Sequence, residues 1–143
     1  MSDPRTHLLI IGGGPAGTQA ATTAAMKGGR VTLIEKDIVG GAAHLWDCIP
    51  SKTMAASALR HTSVRDAVQL GLINDPGRVD VHVLSERITE ITADINAKWI
   101  NLLDSQQVDI IRGTGRFVGP TEAVVETADS DRRIIFDKAL IST

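Results

Sequence analysis

The 143-residue chain fits one domain, or a large part of one, and leaves no room for several. Its 15 Lys and Arg against 17 Asp and Glu give a formal net charge of -2, with no basic cluster able to neutralise a run of phosphates, so nucleic acid is not an expected partner. With 43% hydrophobic residues, 22% charged, 3% aromatic and no Tyr, the core must come from Ala, Val, Ile and Leu, as in sheets covered by helices. The single Cys48 cannot form an intramolecular disulfide, and the polar start over residues 1–5 has neither the basic region nor the apolar run of a secretory leader. Apolar stretches fall far short of the ~20 residues of a membrane span. A cytoplasmic protein with no membrane insertion is the expectation.

Leu8-Leu9-Ile10-Ile11 is a continuous apolar run ending at three glycines, the pattern of a buried parallel strand. Small residues from Pro15 to Lys27 predict a helix lying close to a sheet, with Pro15 in its first turn and Gly28-Gly29 as its stop. Val31 to Ile34 repeats the β-branched run and ends on Glu35, which closes a βαβ unit. A Gly- and Ala-rich loop over Gly40–Ala43 leads to Pro50-Ser51-Lys52, and a helix is predicted over Thr53–Val68. Asn74-Asp75-Pro76-Gly77 is turn chemistry, and Asp80 is a candidate cap for a long amphipathic helix over Val83–Gln107. Beyond Val108, glycines separate short strands, the middle ones a small antiparallel excursion, and Ala139–Ile141 reads as a buried strand. The fold class expected is α/β: a Rossmann-like parallel sheet with a long amphipathic helix and that excursion. Because no turn, cap or tail follows the final strand, the chain is expected to be part of a longer protein.

Gly12-x-Gly14-x-x-Gly17 lies between the first strand and the first helix. Its glycines permit the tight turn, the approach of backbone to a pyrophosphate and close helix–strand packing, while the helix N-terminus offers N–H groups to phosphate. Glu35 ends the second strand eighteen positions after Gly17, where a carboxylate can reach ribose hydroxyls. A dinucleotide site follows. His7, His61 and His82 show no ligand spacing with one another or with Cys48, and no metal site is expected.

Gly40-Gly41-Ala42-Ala43-His44-Leu45-Trp46-Asp47-Cys48-Ile49-Pro50-Ser51-Lys52 resembles the active-site segment of the flavin-dependent pyridine nucleotide-disulphide oxidoreductases, which runs Gly-Gly-Thr-Cys-x-x-x-x-Cys-(Ile/Val)-Pro-Ser-Lys. The resemblance extends to Gly113-Thr114-Gly115-Arg116-Phe117 and to Leu140-Ile141-Ser142-Thr143. It implies an N-terminal part of an FAD-binding domain spanning 1–143, with the NAD(P)H-binding and dimerisation domains absent and a homodimer when full length. By that likeness FAD would rest its pyrophosphate on Gly12, Gly14, Pro15, Ala16 and Gly17. Its adenosine ribose would meet Glu35, its adenine end Gly115, and its isoalloxazine would lie beside Gly41, Cys48 and Lys52, with Lys36, Gly40, Ala42 and Thr143 as further cofactor-binding residues. Lys52 would place a cation near the reduced flavin, and Cys48, read as lying just before a helix, would gain thiolate character from the helix N-terminus.

The sequence departs from the family at Ala43, where the cysteine that attacks a disulphide substrate should stand. A redox pair passes two electrons by exchange between two sulfurs, and one sulfur cannot do so. Gly-Gly-Ala-Ala with one later Cys resembles a single-cysteine branch that passes electrons from NAD(P)H through FAD to quinones, so the expected partner is a small quinone-like acceptor. Trp46 matches the soluble transhydrogenases, which makes transhydrogenation the alternative. Dihydrolipoamide oxidation and a noncatalytic dinucleotide-binding fragment are the further alternatives, and this chain alone is expected to be inactive.

Overall fold

The computed structural model describes residues 5–143; residues 1–4 of the polar start, on which the expectation of no secretory leader rests, lie outside them. Strand β1 (His7–Ile11) is followed by α1 (Pro15–Met26) and β2 (Arg30–Glu35), which pairs with β1 in parallel. A π-turn (Ala43–Cys48) runs directly into α2 (Ile49–Gln69), and α3 (Val81–Ser105) precedes β3 (Asp109–Arg112). Strands β4 (Thr114–Gly119), β5 (Glu122–Glu126) and β6 (Asp131–Ile135) form an antiparallel sheet, before β7 (Lys138–Ile141) returns to the parallel sheet. The parallel order is β3-β2-β1-β7, so β1 is central and the chain departs from it to both sides. That order leaves a crevice at the carboxyl ends of the strands, where open α/β sheets take their ligands.

Period-two alternation divides the core into two layers. Leu9, Ile34 and Ile111 face the antiparallel sheet and pack with Ala123, Val125, Ile134 and Phe136. Ile10, Val31 and Leu33 face the helices and meet Ala21 of α1 and Leu103 of α3. Leu9, Ile10, Leu33 and Ile34 are at most 1% exposed, as expected of parallel strands covered on both faces. Burial of each such side chain contributes about 1.5–3 kcal/mol, which makes β1 and β2 the densest source of stability in the chain.

The predicted caps are present. Asp80 accepts from the N–H groups of His82 and Val83 at 3.0 and 3.1 Å and so caps α3 as expected, although the helix spans Val81–Ser105 and not Val83–Gln107, because the cap sets its first turn and Gln107 turns left-handed beyond its end. Gly28, at φ +82°, ends α1: its N–H donates to Ala25 O at 2.9 Å and that of Gly29 to Ala24 O at 3.0 Å. These are the paired bonds that satisfy the last carbonyls of a helix. Gly71 and Leu72 end α2 in the same manner.

Two further expectations are corrected. The Gly40–Ala43 loop is shorter than predicted, because Ala42 is already helical and the π-turn is continuous with α2. Ile49 N–H donates to His44 O, five residues back rather than four. Pro50 has no N–H, and in an α-turn its ring would press on the carbonyl of Trp46; the widened turn ahead of it relieves that crowding. The second correction concerns the terminal strand, read as buried. All four residues of β7 are exposed, because β7 pairs only with β1 and among the described residues nothing lies on its far edge.

Among the described residues Gln107 is the one non-glycine at positive φ, +60°, in the position after α3 that glycine fills in α1 and α2. Its N–H donates to Asp104 O and that of Val108 to Leu103 O, so the cap forms despite the crowded side chain. Gln107→Gly is therefore expected to raise stability by about 0.5–1 kcal/mol in denaturant unfolding, since the left-handed conformation costs a residue with a Cβ.

Candidate functional site: a glycine-lined crevice

Three backbone crossings shape the crevice. Gly12, at φ +105°, follows β1 and donates its N–H to Ile34 O at 2.8 Å; a Cβ there would fall on the Ser142 carbonyl. Gly17 lies in the first turn of α1, where a Cβ would fall on the Gly12 carbonyl oxygen. Gly41, at φ +76°, lies against the glycine turn, with a Cβ position 2.7 Å from Gly14 Cα and 3.3 Å from Pro15 Cδ. Each contact holds because no side chain intervenes.

Helix α1 begins at Gly14 with no side-chain cap, and Pro15 brings no N–H, so its remaining first-turn amides are left for an anion. Glu35 ties the turn to the end of β2: Oε2 accepts from Gly13 N–H at 2.6 Å and Oε1 from Asp37 N–H at 2.8 Å. Each oxygen retains a lone pair for a further donor such as a ribose hydroxyl. Gly40 N–H donates to Gly13 O at 2.8 Å, which draws the following loop over the turn. Gly113 N–H donates to Glu35 O at 3.0 Å, and a Cβ on Gly115 would come within 3.2 Å of both Ile11 Cδ1 and Ile34 Cδ1.

These elements enclose a cavity of about 530 Å³. Of the residues expected from the sequence, Gly12, Gly14, Pro15 and Ala16 line it on the turn side, Glu35 and Lys36 at the end of β2, Gly41 and Ala42 at the loop, and Gly115 and Thr143 at the far wall. Gly17 supports the turn from beneath, and Gly40 acts through its bond to Gly13. Cys48 and Lys52 do not line the cavity. Cys48 closes the π-turn, half-buried, and Lys52 is exposed on α2. The expected helix N-terminus at Cys48 is not there: the helical run begins six residues earlier, at Ala42, so no first-turn amides converge on its sulfur.

Sequence reasoning missed the apolar floor of Ile11, Ile34 and Ile38, and also Asp37, Thr114 and Ser142. The apolar end of each parallel strand is the signal that could have located the floor. Backbone cradle, apolar floor, free helix amides and a strand-end carboxylate together fit an extended dinucleotide such as FAD. Among the described residues no His, Cys, Asp and Glu gather into a group that could hold a metal, and no helix is long and apolar enough to cross a membrane.

Residues 6–143 match the family model of the pyridine nucleotide-disulphide oxidoreductases, and the chain belongs to that family. Members use FAD and NAD(P)H. Among curated relatives, dihydrolipoyl dehydrogenase of Zymomonas mobilis is 31% identical over 134 residues, covering 94% of this chain and 29% of the relative. An NAD(P)H dehydrogenase (quinone) of Mycobacterium tuberculosis is 37% identical over 121 residues, with 81% and 24% covered. Among solved structures, LpdA of Mycobacterium tuberculosis superposes with a TM-score of 0.85 at 34% identity, over 95% of this chain and 31% of that one. The HOCl-induced flavoprotein disulfide reductase RclA of Escherichia coli, as its Cu(II) complex, gives 0.80 at 26% identity, with 99% and 29% covered. The chain thus spans less than a third of the length of these relatives.

Gly41→Ala tests the crossing directly. A methyl at that position, with φ +76° and Gly14 at 2.7 Å, is expected to cost about 1–3 kcal/mol in unfolding experiments and to weaken dinucleotide binding by calorimetric titration.

Proposed function

We propose that this chain forms the FAD-binding portion of a flavoprotein NAD(P)H oxidoreductase that delivers electrons to a quinone-like acceptor without a redox disulphide. The observation that carries the reading is the single sulfur. Cys48 is the one cysteine in the sequence, and Ala43 stands where the family's substrate-attacking cysteine belongs. The M. tuberculosis quinone dehydrogenase, at 37% identity, is in keeping with it.

The glycine turn and the first-turn amides of α1 would hold the pyrophosphate, Glu35 and Lys36 would meet the adenosine ribose, and Gly115 and Thr143 would close that end. Gly41 and Ala42 would border the isoalloxazine, with Cys48 and Lys52 approaching from the helical run behind them. When bound, FAD supplies hydride acceptance and two-electron delivery, while the protein supplies orientation, charge and exclusion of water. Without a second thiol the chain provides no exchange route to a disulphide substrate, so the acceptor must meet the flavin edge itself.

The dihydrolipoyl dehydrogenase relatives, at 29–34% identity, support a second reading in which the full protein oxidises dihydrolipoamide. In the full-length protein the two readings separate by turnover. The proposal expects NAD(P)H-dependent reduction of a benzoquinone and negligible turnover of dihydrolipoamide; rapid dihydrolipoamide oxidation would overturn it. For the site itself, Glu35→Ala is expected to lower FAD affinity at least about tenfold, the effect of losing roughly 1.5–3 kcal/mol of charge-assisted hydrogen bonding.

A further inference from the structure

His7 opens β1 at the end of the sheet opposite the crevice and is buried, at 7% exposed. Both of its ring nitrogens are engaged. Nδ1 lies 2.8 Å from the carbonyl of Ile135 on β6, and Nε2 lies 2.9 Å from Thr32 Oγ1 on β2. A carbonyl only accepts, so Nδ1 is assigned the hydrogen and Nε2 of the neutral ring accepts from the threonine hydroxyl. At the same corner His7 N–H donates to Asp137 Oδ2 at 2.7 Å, and Asp137 N–H donates to the His7 carbonyl at 3.0 Å. One residue thereby ties the parallel sheet to the antiparallel sheet and to the connection that feeds β7. Those two pieces carry Thr114 and Gly115, and Ser142 and Thr143, into the wall of the crevice.

We infer that His7 is a positioning residue: its neutral imidazole holds the two sheets in the arrangement that forms the crevice wall, and proton uptake at that ring loosens the wall. Among the described residues, Arg30 on β2, Asp137 on the β6–β7 connection and Asp109 at the start of β3 are the charged groups that act on it. Burial, and then Arg30, disfavour the cation and outweigh the opposing pull of the Ile135 carbonyl, Asp137 and Asp109, so the ring titrates below its ordinary 6.5. The sign follows from linkage. As pH falls through about 6.5 the unfolded chain takes up this proton before the folded ring does, so stability present above that pH is lost progressively towards the lowered value.

The test compares the full chain with His7→Gln, whose amide can donate to Ile135 and accept from Thr32 without titrating. Three quantities are followed from about pH 8 to about pH 5.5: the His7 ring resonance by NMR, the unfolding free energy, and the affinity for added FAD. The expected results are a ring midpoint below 6.5, and a loss of stability and of FAD affinity at low pH that is steeper in the wild type than in His7→Gln. The extra loss in the folding equilibrium constant is up to about tenfold for each unit by which the midpoint is lowered, and the extra loss in affinity reads the difference in midpoint between the free and the FAD-bound protein. A ring midpoint at or above 6.5, or identical pH slopes in both proteins, would overturn the inference. The ring and stability measurements stand without ligand, and should the variant not fold, the wild-type ring midpoint decides. The affinity measurement rests on the proposed function: absence of FAD binding at every pH would refute that reading, whereas FAD binding with the same pH slope in both proteins would refute the role of His7.

Discussion

Backbone meets backbone at Gly12, Gly17 and Gly41, and the crevice exists because no Cβ stands at those crossings. Gly12 brings β1 under the end of β7, Gly17 seats α1 against the turn, and Gly41 brings the loop before the π-turn onto Gly14. A methyl at any of the three would meet main chain, which cannot move aside as the tip of a flexible side chain can. The rest of the arrangement is arranged around that contact: the strands are apolar on both faces so that the turn rests on a rigid sheet, and Glu35 secures the turn through Gly13.

Much of this was legible from the sequence because the relevant signals are local. Apolar runs ending on glycine, a carboxylate eighteen positions after Gly17, and an Asp heading an amphipathic stretch each concern neighbours in the chain. Ten of the fourteen expected site residues line the cavity. Features that depend on distant partners were not legible. The π-turn requires knowledge of what Pro50 presses against, and the exposure of β7 depends on which strands flank it. His7 gave no signal beyond a lone histidine, since its meaning lies in Thr32 and Ile135, which are 25 and 128 positions away. The floor of the cavity was missed because isoleucines at the end of a strand read as core until the crevice above them is seen.

The displacement of the helix start changes how the chemistry is reasoned. With Cys48 within a continuous helical run rather than ahead of one, its character cannot come from helix-terminal amides. The first-turn amides of α1 remain without a side-chain cap at Gly14, so the free helix N-terminus of the site is the one at the glycine turn. Cys48 and the uncapped amides of α1 therefore lie on different helical segments, and Ala43 in place of a cysteine leaves the glycine turn untouched.

Backbone amide resonances followed during addition of FAD to the chain test the crevice as the binding site most directly. Binding there predicts that the largest shifts and the strongest protection fall on Gly12 to Gly17, Glu35 to Ile38, Gly41, Ala42, Gly115 and Thr143. Shifts confined to α2 and α3, or none at saturating FAD, would contradict it.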